Sequence, residues 1–170
     1  MMTGITGTPG TGKSTLGEEL SRRGHPVMHL VDTLRPYILE HDETRDTDIV
    51  DEERWAEEFP LFKGIVEGHL AHYLPCDLIV ILRCRPDVLE GRLRNRGYID
   101  EKVRENVQAE ALDVILQETV ERFREDQIYE IDGTTLSTEK EADIVEQILR
   151  GDRSPSYGMI DWSSYLRELI

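Results

Sequence analysis

The run Gly7-Thr8-Pro9-Gly10-Thr11-Gly12-Lys13-Ser14 constrains this chain more than any other feature. It satisfies G-x-x-x-x-G-K-[ST] at every required position. Glycines let the backbone turn so that several N–H groups converge on one anion, and the helix that follows adds the positive end of its dipole. A lysine at this place reaches the β- and γ-phosphates of a nucleoside triphosphate, and the hydroxyl after it coordinates Mg²⁺. Met1–Thr6 reads as a short strand, and Lys13–Arg23 as a helix with Leu16 and Leu20 one turn apart. Strand, glycine turn and helix in that order form the context this chemistry requires.

The rest of the chain alternates strands and helices. Val27–Val31, Lys63–Glu67, Asp77–Arg83 and Gln127–Asp132 read as strands, and the apolar run DLIVILR marks one buried on both faces. Asp32 or Thr33 caps an expected helix carrying Leu34 and Ile38, and a second carries Trp55 and Phe59 up to Pro60. The acid-rich stretch Asp42–Arg54 reads as a solvated loop between them. Pro86 opens a helix with Val88, Leu89 and Leu93, and a long helix is expected from Asp100 to about Glu125. The last helix, Thr138–Arg150, has Thr138-x-x-Glu141 as its capping box. This alternation predicts a parallel sheet covered on both sides. After a turn-rich linker at Gly151, the residues Trp162, Tyr165, Leu166 and Leu169 predict a short amphipathic piece that docks.

With 170 residues one domain is expected. The chain has 20 Lys and Arg against 35 Asp and Glu, a net charge of −15, which excludes a general nucleic-acid-coating role. Cys76 and Cys84 read as reduced, half-buried thiols at the ends of a strand. No apolar stretch reaches membrane-span length and MMTGITGTPG does not read as a signal peptide, so a cytoplasmic protein without membrane attachment is expected. The guanine-reading N-K-x-D and the transporter signature L-S-G-G-Q are absent. A phosphate loop in a short chain with the basic segment RLRNRGY points to a small nucleotide or metabolite kinase.

Three segments, ITGTPGTGKSTL (Ile5–Leu16), EGHLAHYLP (Glu67–Pro75) and the stretch from Leu82 to Ile115, together resemble the adenylate kinase isoenzyme 6 family in its archaeal form. The resemblance implies an α/β P-loop NTPase fold of the nucleoside-monophosphate-kinase type, a five-stranded parallel sheet flanked by helices. It implies a kinase domain over residues 1–150, with a monophosphate-binding segment at 32–60 and a short zinc-free lid at 92–105, then a tail at 151–170. It implies Mg²⁺-dependent transfer from ATP to AMP, ATPase activity, and a role in small-subunit ribosome assembly through a ribosomal protein. Carried over residue by residue, Gly10, Thr11, Gly12, Lys13, Ser14 and Thr15 bind ATP, with Gly133-Thr134 passing the adenine. Arg92 and Arg96 are the lid arginines, Arg92 toward ATP and Arg96 toward AMP. Arg35 also binds AMP, and Ser14 and Glu67 serve Mg²⁺, Glu67 directly or through water. Glu67-x-His69 stands at the acidic-x-His motif, where eukaryotic members usually carry Asp.

The residue chemistry supports those roles in part. Glu67 ends an apolar strand, and ligands bind beyond the carboxyl ends of such strands. His69 can donate to a phosphate, position water or cap the next helix. His69 and His72 read as a helix-surface pair, without a third metal ligand. Arg92 and Arg96 are four apart and share a helix face, while Arg94 points elsewhere. Three acceptors remain open: AMP in a monomeric kinase, water in an assembly ATPase, or a small unphosphorylated metabolite.

Overall fold

The computed structural model describes residues 1–45 and 47–168. In chain order they form β1 (Met2–Thr6), α1 (Lys13–Arg22), β2 (Val27–His29), β3 (Ile38–Asp42), β4 (Thr47–Val50) and α2 (Glu52–Glu58). There follow β5 (Gly64–Glu67), β6 (Leu78–Arg83), α3 (Pro86–Asn95), α4 (Asp100–Ala111), α5 (Val114–Val120), β7 (Ile128–Asp132) and α6 (Thr138–Arg150). Five strands make one parallel sheet in the spatial order β2-β5-β1-β6-β7, as the alternation predicts.

Strand β6 shows why the sheet sits in the middle. Ile79 and Ile81 pack on one face with Met2, Trp55, Val66 and Leu74. Val80 and Leu82 pack on the other with Leu16 and Leu20 of α1 and Val145 and Ile148 of α6. All four β6 side chains are fully buried, so a continuous apolar run is what this position needs. A third cluster of Cys84, Leu89, Leu93, Val103 and Val107 holds α3 against α4 and fixes the basic turn between them. Both cysteines are free and buried rather than half-buried.

The segment after β2 departs from expectation. Leu34 and Ile38 lie on no α-helix; two 3-10 turns, Leu30–Thr33 and Arg35–Tyr37, occupy that place. Pro36 lacks an N–H and disfavours the helical region for the residue before it, so a regular helix cannot run through. The acidic loop is an antiparallel hairpin of β3 and β4. Asp42 Oδ1 makes its turn by accepting from the N–H and hydroxyl of Thr44, at 2.9 and 2.6 Å.

The long helix breaks as well. Asp113 has φ 56°, in the left-handed region, and separates α4 from α5. Arg83 donates to its carboxylate at 2.5 Å and holds that turn. In α6 the cap is Ser137, whose hydroxyl accepts from Lys140 N, so Thr138 and Glu141 form no capping box. The tail returns to the sheet: Ser156 O accepts from Glu130 N, and Gly158 N donates to the Glu130 carboxylate. A 3-10 turn at Ser163–Glu168 packs against α4, with Trp162 and Tyr165 edge to face at 6.3 Å. Leu169 lies outside the described residues. Among those described, no helix is long and apolar enough to cross a membrane.

Candidate active site

The phosphate loop turns on glycines the sequence had to supply. Gly10 and Gly12 have φ of 93° and 106°, and a β-carbon on Gly10 would stand 2.8 Å from Leu93 Cδ2. The loop therefore lies directly on α3. Lys13 opens α1 and is 8 % exposed, with Nζ donating to Thr8 O at 3.1 Å. Burial pulls its pKa down to about 8; Glu67 and Glu110 oppose the shift and Arg96 adds to it. Ser14 and Thr15 stand exposed in the first turn of α1, where helix N–H groups lack intrahelical partners.

Glu67 ends β5 beside Ile5 of β1, and is 3 % exposed. Its Oε1 lies 2.5 Å from His29 Nδ1 at the end of β2. His29 was absent from the sequence reading, because its pairing with Glu67 comes from the parallel register of β2 and β5. His69 follows on the exposed side of the loop, and its backbone carbonyl accepts from Thr6 Oγ1 at 3.3 Å. Protein crowded around part of the ring and the charge of Lys13 hold its imidazole below the usual histidine range, although the side chain still reaches solvent. His72 corrects the surface-pair expectation: it is 1 % exposed, Nε2 donates to Glu118 at 2.8 Å, and Nδ1 faces the Thr6 hydroxyl at 2.9 Å. Burial lowers its pKa, so the imidazole is a neutral structural link.

Arg92 and Arg96 both reach the cavity of the phosphate loop. Arg92 on α3 donates to Thr11 O at 3.3 Å, and Arg92 and Arg96 line one cavity of about 190 Å³ with Gly10, Thr11, Gly12 and Thr15. Arg94 turns away to Glu90 and Asp100. Gly133, Leu136, Thr138 and Glu141 complete the lining. Thr134 is spent on the loop itself: its hydroxyl donates to Asp132 and accepts from Arg85 N at 2.9 Å. Glu141 belongs to the cavity and not to a cap, which sequence spacing concealed. Arg35 sits exposed on its 3-10 turn and does not line this cavity.

The residues present fit Mg²⁺. Ser14 and Glu67 offer hard oxygens, and Mg²⁺ keeps several waters while taking only one or two protein groups. Accordingly it does not call for a dense ligand cluster, and among the described residues no group of three His, Cys, Asp or Glu could hold a metal ion.

A family described as "AAA domain" matches residues 4–113. A protein of Archaeoglobus fulgidus named "Putative adenylate kinase" is 44% identical, covering 100% of this chain and 96% of its own. One of the same name from Natronomonas pharaonis is 40% identical over 98% of this chain and all of its own. Among solved structures, shikimate kinase from Acinetobacter baumannii aligns with TM-score 0.62 at 15% identity, over 89% of this chain and 94% of that one. Deoxyadenosine kinase from M. mycoides aligns with TM-score 0.61 at 16% identity, over 90% and 100%. These two share the fold alone. The full-length match to the archaeal proteins goes further, and the chain belongs to their family, built on the phosphate-loop AAA domain.

Proposed function

We propose that the protein is an adenylate kinase of the isoenzyme 6 type, passing the γ-phosphoryl of ATP to AMP. The observation that carries this is the gathering of Lys13, Arg92 and Arg96 around the phosphate loop in an otherwise acidic protein. Phosphoryl transfer spreads negative charge over three equatorial oxygens, and little covalent chemistry is left for the protein to do. Cations already in position lower that barrier. The names of the archaeal relatives support the same reading.

In this reading Gly10–Thr15 bind the ATP phosphates, with Gly133 and Thr134 near the adenine. Ser14 and Glu67 would hold Mg²⁺, which would supply neutralisation of the triphosphate's negative charge. Lys13 and Arg92 bind the transferring group, and Arg96 with Arg35 holds the AMP phosphate. The segment 32–60 carries Arg35 inward and the turn at 92–105 closes over the nucleotides, excluding water. No protein nucleophile takes part. The test is ATP consumption with AMP, CMP, UMP or no acceptor. Rapid ADP formation with AMP is expected, and equal rates with and without it would sink the kinase reading.

A second reading, ATP hydrolysis coupled to small-subunit ribosome assembly, is favoured by one observation. His69, two residues past Glu67, is exposed and held neutral, a state suited to orienting a water. The acidic β3–β4 hairpin suits a basic ribosomal protein as partner.

A further inference from the structure

Glu141 stands in the first turn of α6, 5 % exposed, and its carboxyl has no hydrogen-bond or ion-pair partner among the described residues. Its oxygens, unpaired by the protein, are left to pair with whatever enters the cavity. It faces the cavity of the phosphate loop beside Gly133, where any β-carbon would collide with Glu141 Oε1. Arg92 is the charged group that faces it.

Leu82 lies between the phosphate loop and the neighbour of Glu141. One Leu82 methyl lies 3.8 Å from a β-carbon built on Gly12, and the other 3.1 Å from one built on Gly133. A single leucine side chain thus bridges the phosphate loop and the neighbour of the carboxyl. Between its phosphates and its base a nucleotide carries the ribose hydroxyls, so a carboxyl in the cavity shared by Gly12 and the base-side loop at Gly133 can meet the sugar. A carboxylate repels phosphate oxygens and accepts from O–H donors, so the hydroxyls are the partners its chemistry selects. Burial raises the Glu141 carboxyl to about 7, yet a carbonyl oxygen is available to accept in either protonation state.

We propose that Glu141 is a specificity-determining residue that accepts hydrogen bonds from the ribose hydroxyls of the donor nucleotide, so that the site selects ribonucleotides over those lacking the hydroxyls. This rests on the cavity being the donor-nucleotide site. The discrimination expected from such bonds is about 5- to 100-fold.

The experiment measures the affinities of ATP and 2′,3′-dideoxy-ATP by calorimetry for the full chain, Glu141→Leu and Glu141→Gln. Wild type is expected to prefer ATP. Glu141→Leu should bring the ratio near one, mainly by weakening ATP. Glu141→Gln, which keeps a carbonyl acceptor, should retain part of the preference even if the leucine variant fails to fold. An unchanged ratio in Glu141→Leu, equal weakening of both nucleotides, or a wild type without preference would overturn the proposal. No acceptor is present, so failure of AMP transfer is a separate result that counts against the kinase reading alone. A wild type that binds no ATP would sink both.

Discussion

The Thr8 hydroxyl donates to Glu110 Oε2 at 2.5 Å, although 102 residues separate the two. The other oxygen of Glu110 accepts from Arg83 Nε at 2.8 Å and from Cys84 N at 3.1 Å. One buried carboxylate therefore joins the phosphate loop, the end of β6 and the last turn of α4. Arg83 also donates to Glu130, the residue that holds the tail at Gly158.

Arg83→Met should destabilise the protein by about 3–5 kcal/mol, because Glu110 and Glu130 would remain buried without their cation. Urea unfolding measures this. A loss under about 1 kcal/mol would mean that the carboxylates find protons or other partners at no cost.

Lys13 should make nucleotide binding take up a proton at alkaline pH. Its folded pKa of about 8 lies below the ordinary lysine value of 10.5. Between those values the unfolded chain binds more protons, so the contribution of Lys13 makes the unliganded protein more stable as pH rises through the window. Polyphosphate restores the ammonium. Calorimetry of ATP binding at pH 9 in two buffers of different ionisation enthalpy should show net proton uptake in wild type and a smaller uptake in Lys13→Ala. The same variant should lose on the order of 10²–10³ in kcat, as for other single electrostatic donors.

Glu67→Gln should lower turnover far more than ATP affinity, since the loop amides still hold the phosphates. His29→Ala should produce a milder version of the same defect, because Glu67 loses the partner that orients it and not its charge. If ATP affinity collapses in either variant while turnover of the bound complex is normal, Glu67 is a binding group only.

Arg35 and His69 divide the two proposed acceptors. Arg35→Ala should weaken AMP use by about ten- to a hundredfold, the value of a charge-assisted bond to phosphate, and leave hydrolysis unchanged. His69→Ala should lower hydrolysis and spare transfer to AMP. ADP formation followed with and without AMP reads both. Equal depression of both reactions by each variant would show that the acceptors share one set of residues.

Local chemistry made the phosphate loop and the five sheet strands legible, since glycine spacing and buried apolar runs have few other uses. The shared side of Arg92 and Arg96 was legible from their spacing of four at the end of α3, where Arg96 caps the helix that the loop touches. The His29–Glu67 and Thr8–Glu110 pairs were not, because parallel register and helix docking bring them together across the chain. Glu141 was misread because a glutamate three residues after a threonine imitates a capping box, whereas Ser137 begins the helix one residue earlier. The β3–β4 hairpin was hidden by its acids, which occupy exposed faces of strands whose turn is made by Asp42. The break at Asp113 depends on Arg83, which lies 30 residues upstream.

The position of β1 between β5 and β6 has a consequence for how the chain is made. Met2 pairs with Gly64 and Thr3 with Leu78, so β1 leaves the ribosome without either of these sheet neighbours until more than sixty residues have followed. Closure of such distant pairs is entropically slow compared with local helix formation. The phosphate loop, whose Gly7 packs on the Leu82 carbonyl of β6, can take its shape only after that closure. Nucleotide binding is thus a late event in folding, and ATP in the refolding buffer should slow unfolding while leaving the rate of the main folding step unchanged.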